Sequence, residues 1–110
     1  MAYDEELADR IREAVQGEAA LSEKKMFGGL AFLVGGNMAV AASGQGGMTL
    51  RIDPAEADEL VDDVHVHRME MRGRAMDGWL RVDEAAVASD EELGRWVAHG
   101  VGYARSLPPK

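Results

Sequence analysis

There is no cysteine among the 110 residues. That excludes a disulfide framework, a thiolate metal centre and a cysteine nucleophile, and it fits a reducing compartment. Aromatic residues are few, two each of Phe, Trp and Tyr. They do not interleave with basic residues, so no base-stacking platform is expected. No apolar run is long enough to span a bilayer. The opening "MAYDEELADR" has neither the basic start nor the apolar core of a secretory leader. Positive charge is also short. Twelve Lys and Arg stand against twenty Asp and Glu, for a net charge of −8. Such a surface repels phosphate backbones unless its cations are concentrated in one place, so direct nucleic-acid binding is not expected. The length suits one domain over residues 1–110 with a real hydrophobic core. An acidic cytoplasmic protein without membrane contact is the expectation.

What is present divides into eight segments. Residues 4–16 carry Leu7, Ile11, Ala14 and Val15 at helical spacing. Asp4 stands at the cap, and Gly17 follows the last turn. From Lys24 to Val34 the chain is strongly apolar and punctuated by glycine, which predicts one long strand. Gly35, Gly36 and Asn37 then make a tight hairpin. "MAVAAS" returns as a strand, "GQGG" turns, and "MTLRI" alternates strictly, with Met48, Leu50 and Ile52 on one face. Asp53 and Pro54 open a short acidic helix with Leu60 and Val61 turned inward. "VHVHRMEMRGR" alternates again, "GRAMDG" is expected to be a loop or a wide hairpin, and "GWLRVD" is a further strand. Ser89 and Glu92 form a capping box. They open a last helix over about 89–106, with Leu93, Trp96, Val97, Gly100, Val101 and Ala104 as its apolar stripe. The order α-β-β-β-α-β-β-α predicts an α+β two-layer domain, a five-stranded antiparallel sheet with its helices on one face.

Gly28 and Gly29 could suggest a phosphate loop. That loop needs a helix N-terminus directly after the glycines, and here more strand follows. A main-chain reason, a bend or bulge or close approach, is the stronger account. Two imidazoles, His65 and His67, share one face of an extended segment and could form two ligands of a metal arm. Asp62, Asp63 and Glu70 are the available third partners, but none is set by a recognisable spacing. Surface histidines without metal are therefore expected. Met69 and Met71 continue that face and are read as core filling. Arg68, Arg72, Arg74 and Arg81 are the one local basic concentration, and Arg51 joins them across the sheet. Acidic residues interleave, so a salt-paired solvated face is expected. No nucleophile–base pair or carboxyl in a cleft can be assigned, so no catalytic residue and no cofactor is expected.

Taken together, "KKMFGGLAFLVGGNMAV", "MTLRID", "GWLRVD" and the closing "YARSLPPK" resemble the TfoX/Sxy N-terminal domain family over nearly the whole chain. The opening "MAYDEELADRIREAV" resembles its stand-alone members. The most specific part is Lys24, Lys25, Met26, Phe27, Gly28 and Gly29, a signature of fold. The resemblance implies a small α+β domain similar to secretion-chaperone-like folds. It implies no catalytic residues. Longer members pair this domain with a second, C-terminal one and regulate natural competence positively; this chain, ending at Lys110, is expected to lack that second domain. A non-catalytic bacterial module that binds another protein is the expectation, with a homodimer suggested by apolar residues on both sides of the first strand. The alternative is a small-ligand or metal-binding protein, or an enzyme, that uses His65, His67 and the arginine group.

Overall fold

The helix caps written in the sequence form where they are expected. In the computed structural model, which describes residues 3–26, 28–44, 46–62, 64–71 and 73–109, the Asp4 carboxylate accepts the N–H groups of Glu6 and Leu7 at 2.9 and 3.2 Å. These are donors that the first turn of a helix leaves unpaired. Helix α1 runs over Glu5–Ala14. Its buried arc runs from Leu7 through Ile11 and Val15 to Ala8, and Ala14, expected on that arc, is exposed just beyond its edge. Gly17 follows with a φ of +87°. At the other end of the chain Ser89 Oγ accepts the Glu92 N–H at 3.1 Å and bonds its carboxylate at 3.0 Å. This is one half of the expected capping box, since Glu92 takes the Ser89 hydroxyl rather than its backbone N–H, and it starts α3, Asp90–Ser106. The expected stripe is buried at Leu93, Val97, Gly100, Val101 and Ala104, with Trp96 partly buried beside it.

Six strands, not five, make the sheet. They are β1 (Leu21–Met26), β2 (Gly29–Val34), β3 (Asn37–Ala42), β4 (Met48–Arg51), β5 (Val66–Met71) and β6 (Arg74–Val82). The spatial order is β1-β2-β3-β4-β6-β5, and every neighbouring pair is antiparallel. The expected single strand from Lys24 to Val34 is therefore two. The chain reverses between Met26 and Gly29, which pair with each other. Gly28 has a φ of +75°, the backbone a two-residue hairpin demands. Ser22, Glu23, Lys24 and Lys25 are all exposed. A polar run of that kind does not look like a strand from sequence, yet it suits a sheet edge, where charge discourages further pairing. A second correction concerns "GRAMDG". The chain does turn a hairpin there, with Met71 paired to Arg74, but it is tight rather than wide: Arg74 to Gly78 is already strand, and the β5–β6 register shifts between Arg68 and Glu70. The second helix is also smaller than expected, a 3-10 turn at Pro54–Glu56 running into a single turn, α2, at Ala57–Leu60.

All three helices pack on one face. Phe32, Val40, Leu50, Leu80 and Val82 are fully buried there with Ile11, Val97 and Ala57. Arg12 of α1 stands over the Phe32 ring at 6.0 Å, and α3 meets β3 and β4 through Gly100. Directly paired residues of an antiparallel sheet share a face. The opposite face is therefore crossed in register by Lys24, Ala31, Ala41, Thr49, Arg81 and His67, one from each strand. Among the described residues no helix covers that row. Surface pairs join neighbouring elements: Arg10 of α1 to Asp90 of α3 at 3.2 Å, Arg12 of α1 to Glu23 of β1 through two bonds of 2.8 and 2.9 Å, and Arg105 of α3 to Glu18 between α1 and β1. Each such exposed pair contributes little by itself. Asn37 is buried and donates from Nδ2 to the Pro108 carbonyl at 2.9 Å, which fastens the segment after α3 to the start of β3.

Candidate functional site

Of the residues singled out above, His67 and Arg81 pair across the helix-free face, and His65 alternates onto it. The approach to β5 is organised by Asp62. Its Oδ1 accepts the N–H groups of Val64, His65 and Val66 at 2.8, 2.8 and 2.9 Å. Three backbone donors favour the charged carboxylate, and they hold its pKa down to about 2. The Asp62 N–H in turn donates to the Val66 carbonyl at 3.2 Å. This knot sets the direction in which β5 begins, and with it the positions of both histidines.

His65 and His67 do share a face, as the alternation predicts. What lies with them is Asp83. Its Oδ2 is 3.8 Å from His65 Nδ1 and 3.5 Å from His67 Nε2. The Asp83 N–H donates to the His65 carbonyl at 2.8 Å, so the two chains are also joined at the backbone. Asp83 directly follows β6 and reaches the histidines only because β6 pairs with β5. Sequence reasoning missed it and named Asp62, Asp63 and Glu70 instead. Asp62 is committed to backbone amides, Asp63 lies outside the described residues, and Glu70 is exposed beyond the register shift. Among the described residues no group of three His, Asp or Glu is arranged to hold a metal ion. The three side chains are each between 38 and 48 % exposed. A shared carboxylate in that setting can attract either imidazole once it is protonated.

The expected arginine group does not assemble. Arg68 pairs in register with Leu80, which puts it on the helix side, where it meets Asp58 of α2. Arg81 pairs with His67 and so stands on the other side. Its guanidinium donates to Ser43 Oγ at 3.2 Å and to the Gly46 carbonyl at 2.9 Å, bracing the β3–β4 turn. Arg74 is exposed at the β5–β6 turn, and Arg72 lies outside the described residues. Alternation along each strand fixes this separation, because β5 and β6 present Arg68 and Arg81 with opposite parity.

Arg51, expected to join that group across the sheet, has a different setting. It ends β4 opposite Trp79 of β6. Its guanidinium carbon lies 5.4 Å from the Trp79 ring centre and 5.7 Å from that of Tyr103 on α3. Both distances fall in the range where a cation is attracted to a ring face. All three side chains are partly buried. The pairing of β4 with β6 creates this group, and no local pattern announces it.

The signature residues Lys24, Lys25, Met26, Gly28 and Gly29 make the first hairpin. Both lysines are exposed on the edge strand, and Gly29 is buried against the carbonyl of Ala42, where a β-carbon would overlap the oxygen. Phe27 lies outside the described residues. No helix of the described residues is long and apolar enough to cross a membrane.

The family model described as the TfoX N-terminal domain matches residues 6–104. No curated protein and no solved structure matches the chain.

Proposed function

The chain belongs to the TfoX N-terminal domain family, and from that premise we infer that it is a non-catalytic, regulator-like interaction module of the bacterial cytoplasm. It acts through protein–protein contacts made by the helix-free face of the sheet. The observation that carries this reading is the middle of that face. Ala31, Ala41 and Thr49 lie side by side on β2, β3 and β4, and Leu33 and Met38 pair next to them on the same side. These three small side chains are themselves buried, so the surface offered to a partner is made by the partly buried Leu33 and Met38 around them, with Lys24 at one margin and Arg51, Arg81 and His67 toward the other. A sheet face with no helix of the described residues over it and with Leu33 and Met38 only partly buried is where we place the contact with a second protein surface. A two-fold homodimer is the simplest way to cover it, since one self-complementary patch serves both copies.

The non-catalytic part is supported by where the displaced carboxylates are spent. Asp62 holds three backbone amides; Glu23, lowered chiefly by the hydrogen bond from Arg12, ties α1 to β1, and Glu18, lowered chiefly by that from Arg105, ties the α1–β1 connector to α3. Each has a structural occupation.

Light scattering across a wide concentration range tests the reading. The native chain is expected to dimerise, and Met38→Lys, at a partly buried position of that face, to remain monomeric with its fold intact. A native chain that stays monomeric at high concentration would remove self-association. Hydrogen exchange in β2–β4 that does not change between dilute and concentrated protein, or on adding lysate proteins, would remove the interaction reading as well.

A further inference from the structure

We propose that Arg51, Trp79 and Tyr103 form a recognition site for a single carboxylate carried on a neutral or basic segment of a protein partner. The proposal deepens the protein-binding reading above by giving the partner's chemistry, and rests on it to that extent. Three observations carry it.

The first is the state of Arg51 compared with its fellows. Arg10, Arg12, Arg68, Arg95 and Arg105 are each paired with a carboxylate. Arg81 is bonded to Ser43 and Gly46. Arg51 has ring neighbours and, among the described residues, no hydrogen-bond acceptor or carboxylate partner. Arg74 also lacks one, but it is exposed at a turn with no ring beside it. In a chain with an excess of eight negative charges, an unpaired and partly buried guanidinium is conspicuous. A guanidinium has five N–H donors and no way to lose its charge.

The second is how the cation is held. Rings on two different elements, β6 and α3, stand within 6 Å of it. A ring attracts the cation but accepts none of its five N–H donors as a carboxylate would, so those donors are left for a ligand. Their fork matches the two oxygens of a carboxylate in a bidentate pair. Trp, Tyr and Arg are also the side chains that most often concentrate binding energy at protein interfaces.

The third is charge balance, which selects the ligand. One guanidinium neutralises one carboxylate. A phosphate dianion or a polyphosphate chain needs further cations, and a net charge of −8 opposes it. The same net charge disfavours a strongly acidic peptide, so the carboxylate belongs on a segment that is otherwise neutral or basic.

The test is a titration followed by two-dimensional ¹H–¹⁵N NMR of the full chain. Its two tryptophans, Trp79 and Trp96, give two indole signals, assigned with Trp79→Phe. The probes are acetyl-Leu-Glu-Leu-Lys-amide, its Gln counterpart, and inorganic phosphate. The Glu peptide is expected to shift the Trp79 indole and the Arg51 side-chain signal saturably. The Gln peptide should bind at least about tenfold more weakly, as should Arg51→Gln toward the Glu peptide, the loss of one charge-assisted pair. Arg51→Lys, which keeps the charge and the stem but not the fork, should weaken binding about threefold or more, and it serves as the variant if Arg51→Gln loses its dispersed spectrum. Equal shifts from the Glu and Gln peptides would overturn the proposal. So would unchanged affinity in the Arg51 variants, a response to phosphate alone, or no shift up to about 10 mM peptide, where even millimolar affinity is detected. A monomeric chain in light scattering would sink self-association and leave this titration untouched; a silent titration would sink the Arg51 site and leave the sheet face standing.

Discussion

A β-carbon on Gly100 would stand 2.5 Å from the carbonyl oxygen of Ala39. It would also lie 2.6 Å from Leu50 Cδ1 and 2.9 Å from Val40 Cγ1. This is where α3 comes down onto the sheet, and the missing methyl sets how close it comes. Two influences oppose each other in Gly100→Ala. Alanine favours a helix interior over glycine by about 1 kcal/mol, while overpacking costs about 1–3 kcal/mol. A backbone oxygen cannot rotate away as a side chain can, so the clash is expected to win and the variant to lose stability in chemical denaturation. Gly94, on the same helix, has nothing within 4 Å of a β-carbon. Gly94→Ala should therefore gain about 0.5–1 kcal/mol. If both variants move the same way, the close approach is not what Gly100 is for.

The hairpin glycines separate in the same manner. Gly28 faces open space but has a φ of +75°, whereas Gly29 faces the Ala42 carbonyl at negative or extended φ. Gly28→Ala is expected to cost about 1–2 kcal/mol, the penalty of a side chain in the left-handed region. Gly29→Ala should cost more, because a strand pairing has to open to admit the methyl. Melting temperatures of the two single variants and the double variant check this. An unchanged value for the double variant would remove the main-chain explanation of the pair.

Ala20 points the other way. It is an exposed alanine with a φ of 59°, and its carbonyl accepts the Gly35 N–H at 3.1 Å. The left-handed backbone costs a non-glycine residue about 1–2 kcal/mol, and glycine gives back about 0.5–1 kcal/mol by loosening the unfolded chain. Ala20→Gly is therefore expected to stabilise by up to about 1 kcal/mol, which thermal melts would show as a rise of a few degrees. A fall would mean that the turn tolerates alanine without strain.

Asp62 makes acid sensitivity local. Its folded pKa, about 2, lies below the ordinary 3.8. The stabilisation linked to that depression is fully present above about pH 4 and is lost as the pH falls toward 2. Glu18 and Glu23 are lowered too, from arginine hydrogen bonds first, and act in the same direction. Asp62→Asn removes the titration but keeps an oxygen for the amides. Its deficit relative to the native chain is expected to be largest above pH 4 and to shrink as the pH approaches 2. Denaturation midpoints at pH 2, 3, 4 and 7 measure it. A constant deficit across that interval would show that the three hydrogen bonds do not depend on the charge.

Much of this molecule was legible in short stretches of its sequence. Asp4 and Ser89 mark helix starts because a cap is a contact between residues two or three apart. Met48, Leu50 and Ile52 declare their buried face because side chains alternate along any strand. The segregation of three singly striped helices from a sheet follows from those patterns. The polar run Ser22–Lys25 hid a strand, since an edge needs no apolar alternation, and Gly28 was placed inside a strand although it turns a hairpin. The composition, charge and family signature were likewise readable.

Only the tertiary structure decided which residues meet. Strand β6 lies between β4 and β5, so chain order does not give the neighbours. That placement brings Asp83 to His65 and His67, lays Trp79 beside Arg51, and sends Arg68 and Arg81 to opposite faces. Caps and alternation are properties of one segment and travel with the sequence. Strand pairing joins residues far apart in the chain, and it is settled by which arrangement pairs the inner strands on both sides and buries the whole core at once.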